Sequence, residues 1–166
     1  MKKYIDFLFA GVLAFCSIGL ITGIVNLISF FQIITSTINN PNGGGFIYGA
    51  RQDVFIPRAT ALSIIALVCV VAVAFACILS FLKKGKASQA VAITVPSLSV
   101  IGSFIAIFSV NNLSDLAKYD PYYHVAEIKY YDFTIQQMLA ETAKSLFIPI
   151  IAVSVMLIVR TLVKKS

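Results

Sequence analysis

The side chains of this chain that could do chemistry are few, and most of them precede its last apolar run. His124 and Glu127 stand three positions apart, with Asp120 close by in the sequence. Two such side chains on one helical turn can bind a metal ion, but a closed site needs four ligands. The sequence has one histidine and offers no third ligand at a firm spacing. We therefore expect no metal, no cofactor and no catalytic residue, and a membrane enzyme is the least favoured function.

The three cysteines, Cys16, Cys69 and Cys77, all lie inside apolar runs. The sequence has no C-x-x-C motif and no cluster of cysteine with histidine, which are the patterns that indicate redox or zinc chemistry. Free cysteine in an apolar setting behaves as a small hydrophobic side chain. The cysteines are therefore predicted to pack inside helices.

Glu141 and Lys144 form the other pair of interest, because residues three apart on a helix are neighbours on its surface. Counted back from Lys164 at about 1.5 Å per residue, Lys144 lies about 30 Å away, near the opposite membrane boundary. The pair is either an interfacial ion pair at the start of a helix or an ion-attracting site at an outer vestibule.

The elements that position these residues follow from composition. The chain has 166 residues, of which 59% are hydrophobic and 12% are charged, whereas soluble domains have about 25% charged residues. A spanning helix needs about 20 apolar residues, and four runs reach that length: 7–34, 59–82, 87–110 and 138–163. The predicted fold is an all-α membrane protein, with four transmembrane helices in an antiparallel bundle and a single domain over 1–166.

The basic residues predict the orientation of this bundle. Eight of them, opposed by Asp6 alone, flank one set of helix ends: Lys2, Lys3, Lys83, Lys84, Lys86, Arg160, Lys164 and Lys165. Cytoplasmic segments carry the excess of lysine and arginine, so both termini are predicted to be cytoplasmic, and 35–58 and 111–137 to be outer loops. Arg160 is expected to extend toward the inner headgroups. The Met-Lys-Lys start favours a bacterial plasma (inner) membrane. The net charge of +6 comes from basic residues that flank the apolar runs, so we expect no nucleic-acid binding.

Small residues mark the helix faces that can approach closely. Gly19 and Gly23 form a G-x-x-x-G motif, which lets two helix backbones come together. A second stripe recurs at spacings of three and four in the third run: Ala92, Pro96, Ser99, Ser103 and Ala106. Three interpretations remain open for these faces, namely packing within the chain, packing against a partner, and a pore lined by serine.

The two outer loops hold the remaining signals. They are expected to hold short helical or hairpin structure, and the apolar triplets at 46–48 and 54–56 fit a hairpin. Thr134 with Gln137 resembles a capping box that starts the last helix. Tyrosines enrich the second loop, where they form either an interfacial aromatic belt or a binding surface. The candidates for outer-surface interaction are Tyr119, Tyr122, Tyr123, His124, Tyr130, Tyr131, Glu141 and Lys144.

These features favour a non-catalytic small integral membrane subunit or accessory protein that packs against partners in a larger membrane complex. No ionisable residue lies near the middle of any apolar run, and such residues usually mark ion or substrate pathways. The alternative is an oligomeric channel or small-solute transporter. The expected partners are the lipid bilayer, other integral membrane proteins or further copies of the chain, and an extracytoplasmic ligand or protein at the outer loops.

Overall fold

The structure is a computed structural model made of four long helices. It describes residues 2–38, 45–82, 85–111 and 126–165, and their side chains at 4–34, 55–82, 85–110 and 135–164. The helices are α1 (Lys2–Ile38), α2 (Gly45–Leu82), α3 (Lys86–Asn111) and α4 (Ala126–Lys165). Throughout the described chain the regular structure is helical, as predicted.

Each helix contains a segment that is long and apolar enough to cross a membrane: Tyr4–Ile34, Phe55–Leu82, Lys86–Val110 and Ile135–Lys164. Only helices and closed barrels satisfy every backbone hydrogen bond inside a bilayer, which is why such runs fold as helices. The prediction of four helices that are long and apolar enough to span a membrane is confirmed.

The fourth helix is the centre of the bundle. It packs most extensively against α1 and α3, and α2 packs against α3, whereas the contact between α1 and α2 is sparse. Side-chain contacts pair Asp6 with Lys164 near one end of α1 and Asn26 with Ser145 further along it, so α1 and α4 run in opposite directions. We call the end that holds Asp6 and Lys164 the terminal end, and the other the loop end.

Of the two forms expected around 46–56, a hairpin or a short helix, the hairpin is wrong, because α2 already begins at Gly45. A two-stranded hairpin is only marginally stable by itself. A helix that continues from the span satisfies its backbone groups within one segment. The helix therefore begins about four turns before the predicted start of the span at residue 59.

The capping box predicted at Thr134 does not start the last helix either. That helix begins at Ala126, and the intervening sequence contains neither glycine nor proline to stop a helix from extending toward the N-terminus. Lys144 therefore lies about five turns into α4, where the sequence predicts about two turns between Thr134 and the membrane boundary.

Candidate functional site

The most developed polar site lies at the terminal end of the bundle and is built around Arg160 of α4. Its Nε donates a hydrogen bond to Oδ1 of Asp6 at 2.7 Å, and its Nη1 donates one to Oγ of Ser80 at 3.0 Å. The side chain of Arg160 is only 3% exposed. One guanidinium therefore joins the first, second and fourth helices.

Two aromatic rings complete the surroundings of this guanidinium. Its central carbon lies 3.9 Å from the ring centroid of Phe81 and 5.5 Å from that of Phe9. The two rings also contact each other, with centroids 6.2 Å apart. A cation over an aromatic face is attracted by the ring quadrupole, and more strongly where water is excluded. The rings thus help to hold a charge that would otherwise be costly to bury.

Asp6 is shared between two cations. Its Oδ2 accepts a 2.7 Å hydrogen bond from Nζ of Lys164, while its Oδ1 is bonded to Arg160. We call Asp6, Ser80, Arg160 and Lys164 the terminal cluster. With two cations and one carboxylate, its formal charge is plus one. A carboxylate has enough lone pairs to accept from both donors at once.

The expectation that Arg160 extends to the headgroups is therefore wrong. Helical register places Arg160 seven residues after Val153 and three after Leu157, which are both buried in the core, so its side chain begins on the inward face. Asp6 and Ser80 meet it there, and a paired, hydrogen-bonded charge can remain buried.

A second polar site lies near the loop end. Nζ of Lys144 is 2.8 Å from Oε1 of Glu141, and the two side chains are 44% and 60% exposed. The pair predicted from sequence spacing therefore forms. Glu141 also lines a crevice of about 310 Å³ between α1 and α4, together with Asn26, Ser29, Gln137, Met138 and Thr142. Exposed pairs of this kind contribute little to stability.

The glycines of the G-x-x-x-G motif face α4. A Cβ built on Gly19 would lie 2.9 Å from Cγ of Pro149, and one on Gly23 would lie 2.9 Å from Cδ2 of Leu146 and 3.0 Å from its backbone nitrogen. Nothing lies within 4 Å of a Cβ built on Gly11. At Gly19 and Gly23, α1 therefore approaches α4 closely within this chain.

The small-residue stripe of α3 is buried along its length, and its members are Ala92, Pro96, Ser99, Ser103 and Ala106. Ser99 donates a hydrogen bond to the carbonyl of Val95 in its own helix. Among the described atoms, the hydroxyls of Ser103 and of Ser154 on α4 are fully buried and have no hydrogen-bond partner. Two interior hydroxyls therefore remain for a further donor or acceptor to satisfy.

The sparse contact between α1 and α2 leaves a groove of about 290 Å³, which we call the α1–α2 groove. Its walls and floor are Leu13, Cys16, Ser17, Leu20, Val70, Val73, Ala74, Cys77, Ile78, Pro149, Ile150 and Val153. Two of the three cysteines line it, while Cys69 is buried elsewhere in the core. Sequence reasoning predicted apolar surroundings for the cysteines but not a shared groove.

The predicted tyrosine surface falls mostly beyond the described chain. Tyr119, Tyr122, Tyr123 and His124 lie outside the described residues. Tyr130 and Tyr131 lie in the first two turns of α4, where only the backbone is described. Within the part of the chain that the structure describes, no group of three histidine, cysteine or acidic residues is placed to hold a metal ion.

No protein-family model matches this chain, and comparisons with curated proteins and with solved structures give no match.

Sequence reasoning missed the partners of Arg160. One signal was present: Asp6 is the only acidic residue among eight basic residues at the terminal end. An isolated carboxylate at the start of an apolar run is costly in lipid unless it is paired. That cost alone pointed to a bond between Asp6 and one of these basic residues, although not to which one.

Proposed function

We propose that this chain is a non-catalytic integral membrane subunit or accessory protein, with both termini in the cytoplasm, that packs against other integral membrane proteins. The proposal rests on one observation: the helices differ in the fraction of residues that is buried within the bundle. In the most apolar part of α4, 50% of the residues are buried within the bundle, against 17% in α1. The bundle is organised around α4, and much of the surface of α1 is free for lipid or for another protein.

The chemistry of the membrane interior supports a structural role. Between the terminal cluster and the Glu141–Lys144 pair, the four spans carry no acidic, basic or histidine residue. Enzymes and ion carriers usually place such groups where protons, ions or substrates pass. Close backbone packing at Gly19 and Gly23 instead suits a bundle that keeps one shape.

The orientation rests on the distribution of basic residues. The terminal end, where Asp6 bonds Lys164, is also the end flanked by eight of the thirteen basic residues. The excess of lysine and arginine on cytoplasmic segments supports cytoplasmic termini. A plasma membrane of a bacterium is the proposed location.

The direct test is gentle solubilisation of the tagged chain from its native membrane, followed by identification of what copurifies. We expect another integral membrane protein at a fixed ratio. Tryptophan at the exposed positions Ile18 on α1, Phe75 on α2 and Leu98 on α3 leaves the core untouched. At least one of the three is expected to lower recovery of the partner. A lone monomer that recovers no membrane protein would contradict the proposal.

The buried hydroxyls favour a second candidate, an oligomeric channel or small-solute transporter. Water inside the bundle would supply the hydrogen bonds that Ser103 and Ser154 lack among the described atoms. The test replaces the three native cysteines and then introduces Ser103→Cys. Labelling by a water-soluble thiol reagent, with solute flux into liposomes, supports the channel; an unlabelled cysteine and no flux support the packing role.

A further inference from the structure

We propose that the α1–α2 groove binds one acyl chain of an anionic phospholipid, whose headgroup lies at the terminal end against Lys164. The interior of the groove is lined by apolar side chains and by the small residues Ser17, Cys16 and Cys77. It lies within the spanning segments of α1 and α2, so its occupant comes from the bilayer. A volume of about 290 Å³ suits a narrow chain and is too small for a helix, which is about 10 Å wide.

Helical register places the terminal cluster directly below this groove. Asp6 precedes the groove residue Leu13 by seven positions, Ser80 follows Val73 by seven, and Arg160 follows Val153 by seven. Seven residues are nearly two full turns, so each pair shares one face of its helix. On all three helices the polar residue therefore lies about 10 Å nearer the terminal end than the apolar one.

This arrangement matches the polarity of a phospholipid in the leaflet at that end. The rings of Phe9 and Phe81 contact each other, and Phe9 lies about one turn nearer the terminal end than the groove residue Leu13. Phe81 is 57% exposed, so the lipid backbone passes over its outer side. Beyond it, the terminal cluster carries one net positive charge. Nζ of Lys164 has three hydrogens, and its described bond to Asp6 uses one of them.

Charge complementarity selects the headgroup. A zwitterionic lipid carries no net charge, so a singly positive cluster attracts it more weakly than it attracts an anionic lipid. Basic sites between helices at the cytoplasmic boundary bind anionic headgroups by the same attraction. The apolar groove accounts for binding of the acyl chain, and the terminal cluster accounts for the preference for an anionic headgroup. The two properties can therefore be tested separately.

The experiment uses the purified full-length protein in a neutral detergent, with phosphatidylglycerol and phosphatidylcholine of identical acyl chains as probes. Thermal unfolding and native mass spectrometry report stabilisation and bound lipid. We expect phosphatidylglycerol to raise the melting temperature more than phosphatidylcholine and to remain bound at about one per chain. Because the protein is tested alone, the result is independent of whether it has a protein partner.

Variants separate the two parts of the site. Ala74→Phe and Ser17→Phe fill the groove from its exposed walls and are expected to abolish the stabilisation by lipid. Ala61→Phe, at an exposed position of α2 away from the groove, is the control and keeps it. Lys164→Gln is expected to lower the effect of phosphatidylglycerol to that of phosphatidylcholine. Equal stabilisation of the unmodified protein by both lipids, or an undiminished effect in both groove variants, overturns the proposal.

Discussion

Arg160 donates a 2.7 Å hydrogen bond from Nε to Oδ1 of Asp6, and so joins the last helix to the first across 154 positions of the sequence. The arginine side chain is 3% exposed, whereas that of Asp6 is 42% exposed. The charge of the buried Arg160 is therefore neutralised by the more accessible Asp6.

We expect Asp6→Asn to lower the free energy of unfolding by about 1.5–3 kcal/mol, the range for a hydrogen bond to a charged group. The loss arises because the buried guanidinium keeps its charge and loses its carboxylate. Thermal and detergent-induced unfolding of the purified protein measure it. Glu141→Gln, which removes an exposed ion pair, is the control and is expected to cost about 0.2–1 kcal/mol. Equal losses in the two variants would show that the terminal cluster contributes no more than a surface pair.

A double variant tests whether the unpaired charge causes that loss. Arg160→Met keeps much of the apolar volume of the side chain and removes its charge. Adding it to Asp6→Asn is expected to recover part of the lost stability, since apolar residues often replace buried ion pairs without loss. A double variant less stable than Asp6→Asn alone would assign the effect to packing around Phe9 and Phe81.

The glycines of α1 provide a prediction about packing. Gly23→Ala is expected to destabilise the bundle by about 1–3 kcal/mol, the usual cost of overpacking. The new Cβ meets the backbone nitrogen of Leu146 at 3.0 Å, and backbone moves less readily than a side chain. Gly11→Ala is the matched control, because open space surrounds that position, and it is expected to stabilise α1 by about 0.5–1 kcal/mol. Unfolding in detergent distinguishes them, and equal effects would argue against the close approach of α1 and α4.

The buried hydroxyl of Ser154 gives a prediction of opposite sign. Ser154→Ala removes a polar atom that has no partner among the described atoms, so we expect unchanged or increased stability, by up to about 1–3 kcal/mol. Ser99→Ala is the comparison, because that hydroxyl donates a hydrogen bond to the Val95 carbonyl. It is expected to lose about 0.5–1.5 kcal/mol, the net contribution of one such bond. Strong destabilisation by Ser154→Ala would indicate a bound water at this site and would favour the channel.

Orientation is tested by labelling single cysteines in a variant without the native ones. Gly85 lies between α2 and α3, and Gln137 lies on α4 near the loop end; both are exposed. Gly85→Cys is expected to react with a membrane-impermeant thiol reagent only from the cytoplasmic side, and Gln137→Cys only from the outside. Whole cells and inverted vesicles give the two readouts. The reverse pattern would place the termini outside.

The sequence by itself determined the number and approximate position of the four long apolar helices. A run of about 20 apolar residues must be helical in lipid, whatever its neighbours are. The sequence did not determine where the helices end outside these runs. There the backbone groups can form hydrogen bonds with water as well as within a helix. Gly45 and Ala126 therefore begin their helices earlier than the sequence predicted.

Only the tertiary structure decided which faces of the helices meet. The spacing of Gly19 and Gly23 indicated a close approach but not its partner, Pro149 and Leu146 on α4. In the same way, sequence placed Arg160 near the membrane boundary but could not tell the interior of the bundle from the lipid side. A hydrogen bond between residues far apart in the sequence depends on how several helices are rotated about their axes. No local sequence pattern determines that rotation. The Arg160–Asp6 bond and the α1–α2 groove follow from that joint arrangement.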